Sequence, residues 1–372
     1  MAQGFSRESI IKFTNECLAP TASITLLVGA GGGLNRILID SGVTTEIVGL
    51  AQDFQLSPLF MGWVFAALMR IATGSATVAM TTASGIVAPV ALGLGYPHPE
   101  LLVLATGARH AYFGHDHWEQ VAPGLKTLED AKSIRNRILL AFERAEMSED
   151  PEEVRRLLTI AVVGGGPTGV EMAGTIVELA HAALSREFRR INPRQTRVIL
   201  VEGGPRILAT FPQQLSDASA ESLRRLGVEV LLNSQVTDCN EAGIVVSGEL
   251  IPAATVIWAA GVKASPAAAW LSAEADRAGR VKVDADFRVP GQDSVYVIGD
   301  TALQIDAVGQ QVPGVAQGAI QGGSFVGRHI LARLAGRAEP APFRYRNLGN
   351  MATIGRHAAV AEFGWLRMKG WL

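Results

Sequence analysis

The run Leu158-Thr-Ile-Ala-Val-Val-Gly164-Gly-Gly166-Pro-Thr-Gly169-Val-Glu171-Met-Ala-Gly174 decides how this chain folds. Its first part is short and apolar, with the β-branched residues Thr159, Ile160, Val162 and Val163, the pattern of a buried parallel strand. Its second part reads G-x-G-x-x-G, and a helical pattern follows to about Phe188. Strand, glycines and helix in that order form a Rossmann-like dinucleotide fingerprint. Gly164 permits the tight turn, Gly166 lets backbone approach a pyrophosphate, and Gly169 lets the helix pack on the strand. The helix N-terminus adds positive potential where phosphates would lie.

Downstream the alternation continues. Thr196-Arg-Val-Ile-Leu-Val-Glu202 is a second strand that ends in an acid. There Glu202 would accept hydrogen bonds from the adenosine ribose and repel a 2′-phosphate, which favours NADH over NADPH. The plain alternative is a solvated strand-end carboxylate. Glu202 lies farther from the glycines than the usual spacing, which implies a lengthened crossover. A helix with Arg224 and Arg225 in its last turn then leads into a strand over Gly227–Leu232. Ala242–Gly248 reads as a hairpin strand. Ala254–Gly261 is a buried strand whose end, at Gly261, is small where a nicotinamide would approach. Val295-Tyr-Val-Ile-Gly299-Asp300 is an apolar strand ending in Gly-Asp, and Pro313–Gly323 opens another helix. Gln317 and Gln321 are four apart and so share one face of that helix.

Outward toward the N-terminus the chemistry changes. The 372 residues average 48% hydrophobic and 18% charged, with net charge −2, but the average blends two unlike stretches. From Ser57 to Pro97 the one ionised side chain is Arg70, and Ile71 to Gly95 carries no charge. As a helix that stretch would cover roughly 38 Å, enough for a bilayer core, although its glycines and Pro89 argue for a broken one. Thr21 to Ile39 is a weaker second candidate. Nothing in the charge balance calls for nucleic acid. Cys17 and Cys239 form no CxxC pair, which excludes a disulfide framework, a zinc site or a dithiol centre. There is no metal-ligand cluster. His110, His115 and His117 lie close in sequence, and His115 is read as structural.

Residues 1 to about 105 resemble the C-terminal part of gluconate:proton symporters of the gluconate permease family. Phe13-Thr-Asn, Cys17-Leu-Ala-Pro20, Val28-Gly-Ala-Gly-Gly-Gly33, Asp40-Ser-Gly42 and the run from Arg70 to Met80 carry the likeness. Residues from about 101 onward resemble type II NADH dehydrogenase, a flavoprotein NADH:quinone oxidoreductase. That resemblance rests on Ala105-Thr106-Gly107, Tyr112-Phe-Gly-His115, Pro123–Thr127 with Glu129-Asp-Ala131, Gly164–Gly174 and Trp258-Ala-Ala-Gly261. It continues through Val297-Ile-Gly299-Asp300, Ala316-Gln317 with Gln321, and Asn350–Arg356.

The second resemblance implies FAD and NADH as cofactors and a membrane quinone as electron acceptor, with hydride passing to the flavin and electrons on to the quinone. It places Thr106, Gly107, Gly299, Asp300 and Ala316 around the flavin, Glu171 near the nicotinamide and flavin, and Gln317 and Gln321 beside the quinone. Partners expected are the quinone and the lipid bilayer, with a homodimer as a further option. The expected location is the bacterial inner membrane, with the enzyme part on its cytoplasmic face.

The fold expected is α/β. A Rossmann-like NADH-binding domain (159–275) sits between parts of an incomplete FAD-binding domain (101–158 and 276–340), as in flavoproteins with two dinucleotide-binding domains. An all-α membrane fragment (1–100) precedes it, and 341–372 begins a membrane-docking region. Family members carry a first strand–glycine–helix unit for the ADP half of FAD, and this chain has permease-like sequence there instead. The expectation is therefore an impaired enzyme. A gluconate transporter fragment and an inactive NADH-binding chimera, joined near Leu101–Ala108, are the alternatives.

Overall fold

The computed structural model describes residues 101–185 and 187–370, together with Phe60, Trp63, Val64, Ala67 and Leu68, which are helical. The membrane readings at Thr21–Ile39, Arg70 and Ile71–Gly95 lie outside the described residues. Among those described, no helix is long and apolar enough to cross a membrane. The chain divides into two units, Met1–Leu101 with Leu334–Gly336, and Leu102–Arg333 with Arg337–Leu372. The second is the subject below.

It opens with β1 (Leu102–Leu104), β2 (Ala108–His110), the long helix α1 (Leu128–Met147) and the short α2 (Pro151–Leu157). A capping box starts α1: the Asp130 N–H donates to the Thr127 hydroxyl at 3.0 Å and the Thr127 N–H donates to the Asp130 carboxylate at 2.8 Å. Next come β3 (Thr159–Val163), α3 (Pro167–Glu178), β4 (Arg197–Val201), α4 (Gln213–Leu226) and β5 (Val228–Leu231). Gly227 at φ +99° ends α4 in the left-handed cap that a glycine takes without strain. The antiparallel strands β6 (Val236–Asn240), β7 (Gly243–Val246) and β8 (Glu249–Pro252) form a separate sheet, and β9 (Thr255–Trp258) returns to the first.

The result is a parallel sheet in the order β5-β4-β3-β9. Every residue of β3 and β9 is buried, as expected for parallel strands covered on both faces. Alternation divides their side chains. Ile160, Val162, Leu200 and Ile257 pack against α1 and α3, whereas Ala161, Val163, Ile199 and Val201 face Tyr112, Trp118 and Ile244 on the other side.

Beyond β9, β10 (Val262–Ala264) pairs antiparallel with β2 and is followed by α5 (Ala267–Leu271). Then β11 (Val281–Lys282), β12 (Arg288–Val289), β13 (Gln292–Val297) and β14 (Ala302–Leu303) precede the long α6 (Ala316–Leu334). β13 lies parallel to β1, with Leu104 opposite Val297, so segments on either side of the Rossmann-like part share one sheet. β1 pairs with β13 alone among the described strands, and its Leu102 and Val103 are exposed. Residues 341–370 include an antiparallel sheet of β15 (Asn350–Ile354), β16 (Ala358–Phe363) and β17 (Leu366–Gly370), which packs on α3 and α4.

One element differs from its sequence pattern. The helix expected to reach about Phe188 is α-helical to Glu178 and closes in a π turn over Leu179–Ala183. Just past the expected end, the Glu146 carboxylate of α1 accepts the backbone N–H groups of Arg189, Arg190 and Ile191 at 2.9–3.0 Å. Those three donors are thus satisfied outside any helix.

Candidate functional site

The predicted turn sits at the carboxyl end of β3, between strand and helix. Gly164 has φ +112°, and a Cβ there would stand 2.5 Å from the Ala259 carbonyl, so no other residue fits. Gly166 is the N-cap of α3, with Pro167 next and no side chain capping the helix. A Cβ on Gly166 would meet nothing within 4 Å among the described residues, and no side chain caps the N–H groups of the helix's first turn. Gly169 is constrained by the turn itself, because a Cβ would collide with the Gly164 carbonyl oxygen and reach Leu200 at 3.4 Å. Helix and turn lock together there, a tighter fit than helix on strand.

Glu202 follows β4 directly. Its Oε2 accepts the Gly165 N–H and its Oε1 the Gly204 N–H, each at 2.6 Å. The carboxylate thus straps two glycine turns together, and each oxygen keeps a further lone pair for a hydroxyl. A cleft of about 570 Å³ opens beside it, lined by Gly164, Glu202, residues 234–237 at the start of β6, and the rings of Phe113, Trp118 and Trp258. His115 also lines this cleft and stacks on Trp118, ring centroids 4.2 Å apart and 6° from parallel. Sequence reading quoted Tyr112–His115 and Trp258 as motif residues but gave them no place in the cleft wall. The signal available was an aromatic-rich segment beside a glycine. Gly261, read as small for the nicotinamide, is covered by Phe113: a Cβ on Gly261 would lie 2.7 Å from the ring's Cζ.

A second group gathers where the parallel neighbours β1 and β13 end. Gly107 (φ +69°) accepts the Thr301 hydroxyl at 3.0 Å and the Ser265 N–H at 3.1 Å through its carbonyl oxygen. The Thr106 hydroxyl lies 2.5 Å from that of Ser265 and 3.3 Å from that of Thr301. Gly299 (φ +71°) lies under α6, where a Cβ would sit 3.3 Å from that of Ala319. The Asp300 carboxylate forms no hydrogen bond among the described residues. Its nearest charge is Lys126 Nζ at 3.8 Å, and Gly314 leaves room on its other side. Ala316 begins α6 nearby in sequence, and it is exposed. An acceptor carboxylate without a hydrogen-bond donor among the described residues, in contact range of Gly314, suits a hydroxyl-bearing chain such as the ribityl of FAD. Sequence reading quoted Lys126 in a motif without pairing it to Asp300.

The remaining predicted residues attach to the segment after α6. Glu171 Oε1 accepts the Thr353 N–H at 3.2 Å. Gln317 donates to the Gly349 carbonyl at 2.5 Å and accepts the Leu348 N–H at 2.9 Å. Gln321 bonds both backbone groups of Arg346 at 2.9 Å. The two glutamines share a face as their spacing requires, and that face clamps residues 345–349. The Gly164 cleft, the Asp300 turn and these tethers are three separate groups.

In comparison with known proteins, residues 97–323 match the model of the pyridine nucleotide-disulphide oxidoreductase family. The chain belongs to this family. Residues 1–116 match the GntP permease family, so positions 97–116 satisfy both models. The chain is 45% identical over 293 residues to the type II NADH:quinone oxidoreductase Ndh of Mycobacterium tuberculosis, covering 76% of this chain and 62% of that one. It is 46% identical over 114 residues to a gluconate permease of Zymomonas mobilis, covering 30% and 25% respectively. The chain thus spans less than two thirds of either relative. Among solved structures it is similar to NDH2 from Plasmodium falciparum in complex with NADH, with TM-score 0.67 and 22% identity over 73% of this chain and 71% of that one. The oxidoreductase part therefore has the α/β flavoprotein fold with two dinucleotide-binding domains.

Proposed function

We propose that this chain is an FAD-dependent NADH:quinone oxidoreductase of the type II NADH dehydrogenase kind, impaired in holding its flavin. The observation that carries the reading is the Gly164 turn, with an uncapped helix behind it and Glu202 at the next strand end. In this reading the N–H groups at the start of α3 bind the pyrophosphate of NADH, and Glu202 binds the adenosine ribose while disfavouring a 2′-phosphate. Thr106, Gly107, Gly299 and Asp300 hold the flavin side, with Ala316 at the helix start. FAD, when bound, supplies the hydride acceptor and the path of electrons to a quinone. Glu171, Gln317 and Gln321 then act chiefly by fixing residues 345–353 beside the site.

Weak flavin retention follows from the sequence before residue 101. It is permease-like where relatives of this kind have a second glycine turn for the ADP half of FAD. The test is flavin content and NADH binding of the detergent-solubilised chain, together with NADH-driven reduction of a soluble quinone. NADH binding, flavin well below one per chain, and activity that rises with added FAD are expected. Absence of NADH binding overturns the enzyme reading, and stoichiometric flavin overturns the impairment.

The permease match supports a second reading for the first hundred residues, a membrane-attached remnant fused near Leu101–Ala108, where both family models overlap. Exposed Phe363, Trp365 and Leu366 beside Arg367 and Lys369 suit the same bilayer contact. Vesicles carrying the chain should take up no gluconate, because the matched part is a quarter of the permease.

A further inference from the structure

A cavity of about 390 Å³ lies between α6 and the segment from Ala341 to Arg346, and it shares no residue with the Gly164 cleft. Positions 320, 321, 324, 325 and 328 of α6 line it, the spacing of a single helix face. Its lining holds Arg328, Arg344 and Arg346 and no carboxylate, and none of these guanidinium groups is ion-paired or hydrogen-bonded among the described residues. Another cavity lined by Arg137, Arg144 and Arg156 is different. There Glu153 neutralises Arg156 at 2.8 Å, and Arg137 is spent on the carbonyls of Gln120 and Val121.

The walls of the first cavity are fixed. Phe325 and Phe343 are buried and meet edge to face, ring centroids 5.4 Å apart. The Phe343 carbonyl accepts the Ala307 N–H at 2.8 Å, the Tyr345 N–H donates to Asp306 at 3.2 Å, and Gln321 holds both backbone groups of Arg346. Asp306 also accepts the N–H groups of Val308 and Gln310, so its carboxylate is committed to backbone. Three like charges gathered on such walls repel one another, and a bound anion relieves that cost. Beside them Ile320 is 68% exposed, an apolar side chain at the rim of a cationic cavity.

We propose that this cavity binds the phosphate of an acidic phospholipid headgroup, the arginines taking the phosphate oxygens and Ile320 meeting the carbons next to them. Guanidinium groups match phosphate oxygens in geometry and charge. A bare anion would leave Ile320 idle, whereas basic side chains beside apolar ones suit a lipid surface. The inference rests on the reading of the chain as membrane-attached and is independent of the nucleotide cleft.

The test uses the full chain in non-ionic detergent, with calorimetry against dihexanoyl phosphatidic acid, dihexanoyl phosphatidylcholine and inorganic phosphate. Phosphatidic acid should bind saturably and about tenfold or more tighter than phosphatidylcholine. Arg328→Gln, Arg344→Gln and Arg346→Gln should each weaken it about fivefold without moving the unfolding temperature, since these side chains are exposed and Gln321 grips only the backbone of Arg346. Ile320→Ser should weaken phosphatidic acid but not inorganic phosphate, and Arg144→Gln, in the other cavity, should change neither. Phosphatidic acid bound equally by wild type and the triple glutamine variant would overturn the site. Inorganic phosphate bound as tightly as the lipid, with Ile320→Ser silent, would overturn the lipid assignment in favour of a soluble anion. Flotation with vesicles of pure phosphatidylcholine checks membrane attachment separately. Its failure sinks that reading, whereas flotation combined with unselective lipid binding sinks this inference alone.

Discussion

Glu202 shows how one side chain serves both fold and chemistry. Its two oxygens hold the N–H groups of Gly165 and Gly204, so the acid read from sequence as a ribose ligand is first a brace between two glycine turns. Glu202→Gln turns an amide N–H toward one of those donors, which should cost roughly 1–3 kcal/mol of stability. It should also weaken NADH about tenfold and narrow its advantage over NADPH; calorimetry with both nucleotides measures this. Cys239 makes a contrasting case. Burial among Trp258 and Ile244, with the Asp238 carboxylate adjacent, pushes its thiol up to about 12. Peptide mapping after iodoacetamide at pH 8 should find Cys239 unlabelled in the folded chain and labelled in denaturant. Labelling of the native thiol would mean the sheet β6–β8 opens readily.

At the level of elements, periodicity and turn chemistry made much of the architecture legible. β3 and β9 were readable because full burial leaves an uninterrupted apolar run, and the Gly164 turn because no other residue tolerates it. The end of α3 was not, since the carboxylate that satisfies the N–H groups of the chain beyond it, Glu146, is on a helix some forty residues earlier. The glutamines' shared face could be read from spacing; what it clamps could not, because Gly349 and Arg346 contribute backbone, which carries no sequence signature. The cap of α1 gives a sharp test. Thr127→Ala should destabilise by about 1 kcal/mol in denaturant titration. Burial pushes the Asp130 carboxyl up, but the N–H groups of Thr127 and Lys126 outweigh this and hold it below the usual aspartate value. A carboxyl lowered in the folded state adds stability above its unfolded pKa and loses it as pH falls through the folded one. Acidification below about pH 4 should therefore destabilise the wild type more than Asp130→Asn, and parallel unfolding curves would contradict the cap's role.

For the whole molecule, the decisive fact is that the sheet leading to Asp300 is assembled from segments far apart in sequence, β1 and β13, while the Gly164 turn lies within one continuous stretch. The continuous part was legible from a single motif. The discontinuous part needed resemblance to a family, because pairing of Leu104 with Val297 leaves no local pattern. Nor did sequence announce the whole closing sheet: β15 alternates buried and exposed residues, but β16 and β17 do not. Yet that sheet anchors α3. Glu171 and Glu178 of α3 accept the N–H groups of Thr353 and Arg356, 182 and 178 positions later, and Gly174 leaves only enough room for Gly355. On the ribosome, then, α3 emerges long before the strands that fasten it. A nascent chain paused between the two would expose two acidic side chains and a bare glycine face, so chaperone dependence should peak in that interval of synthesis.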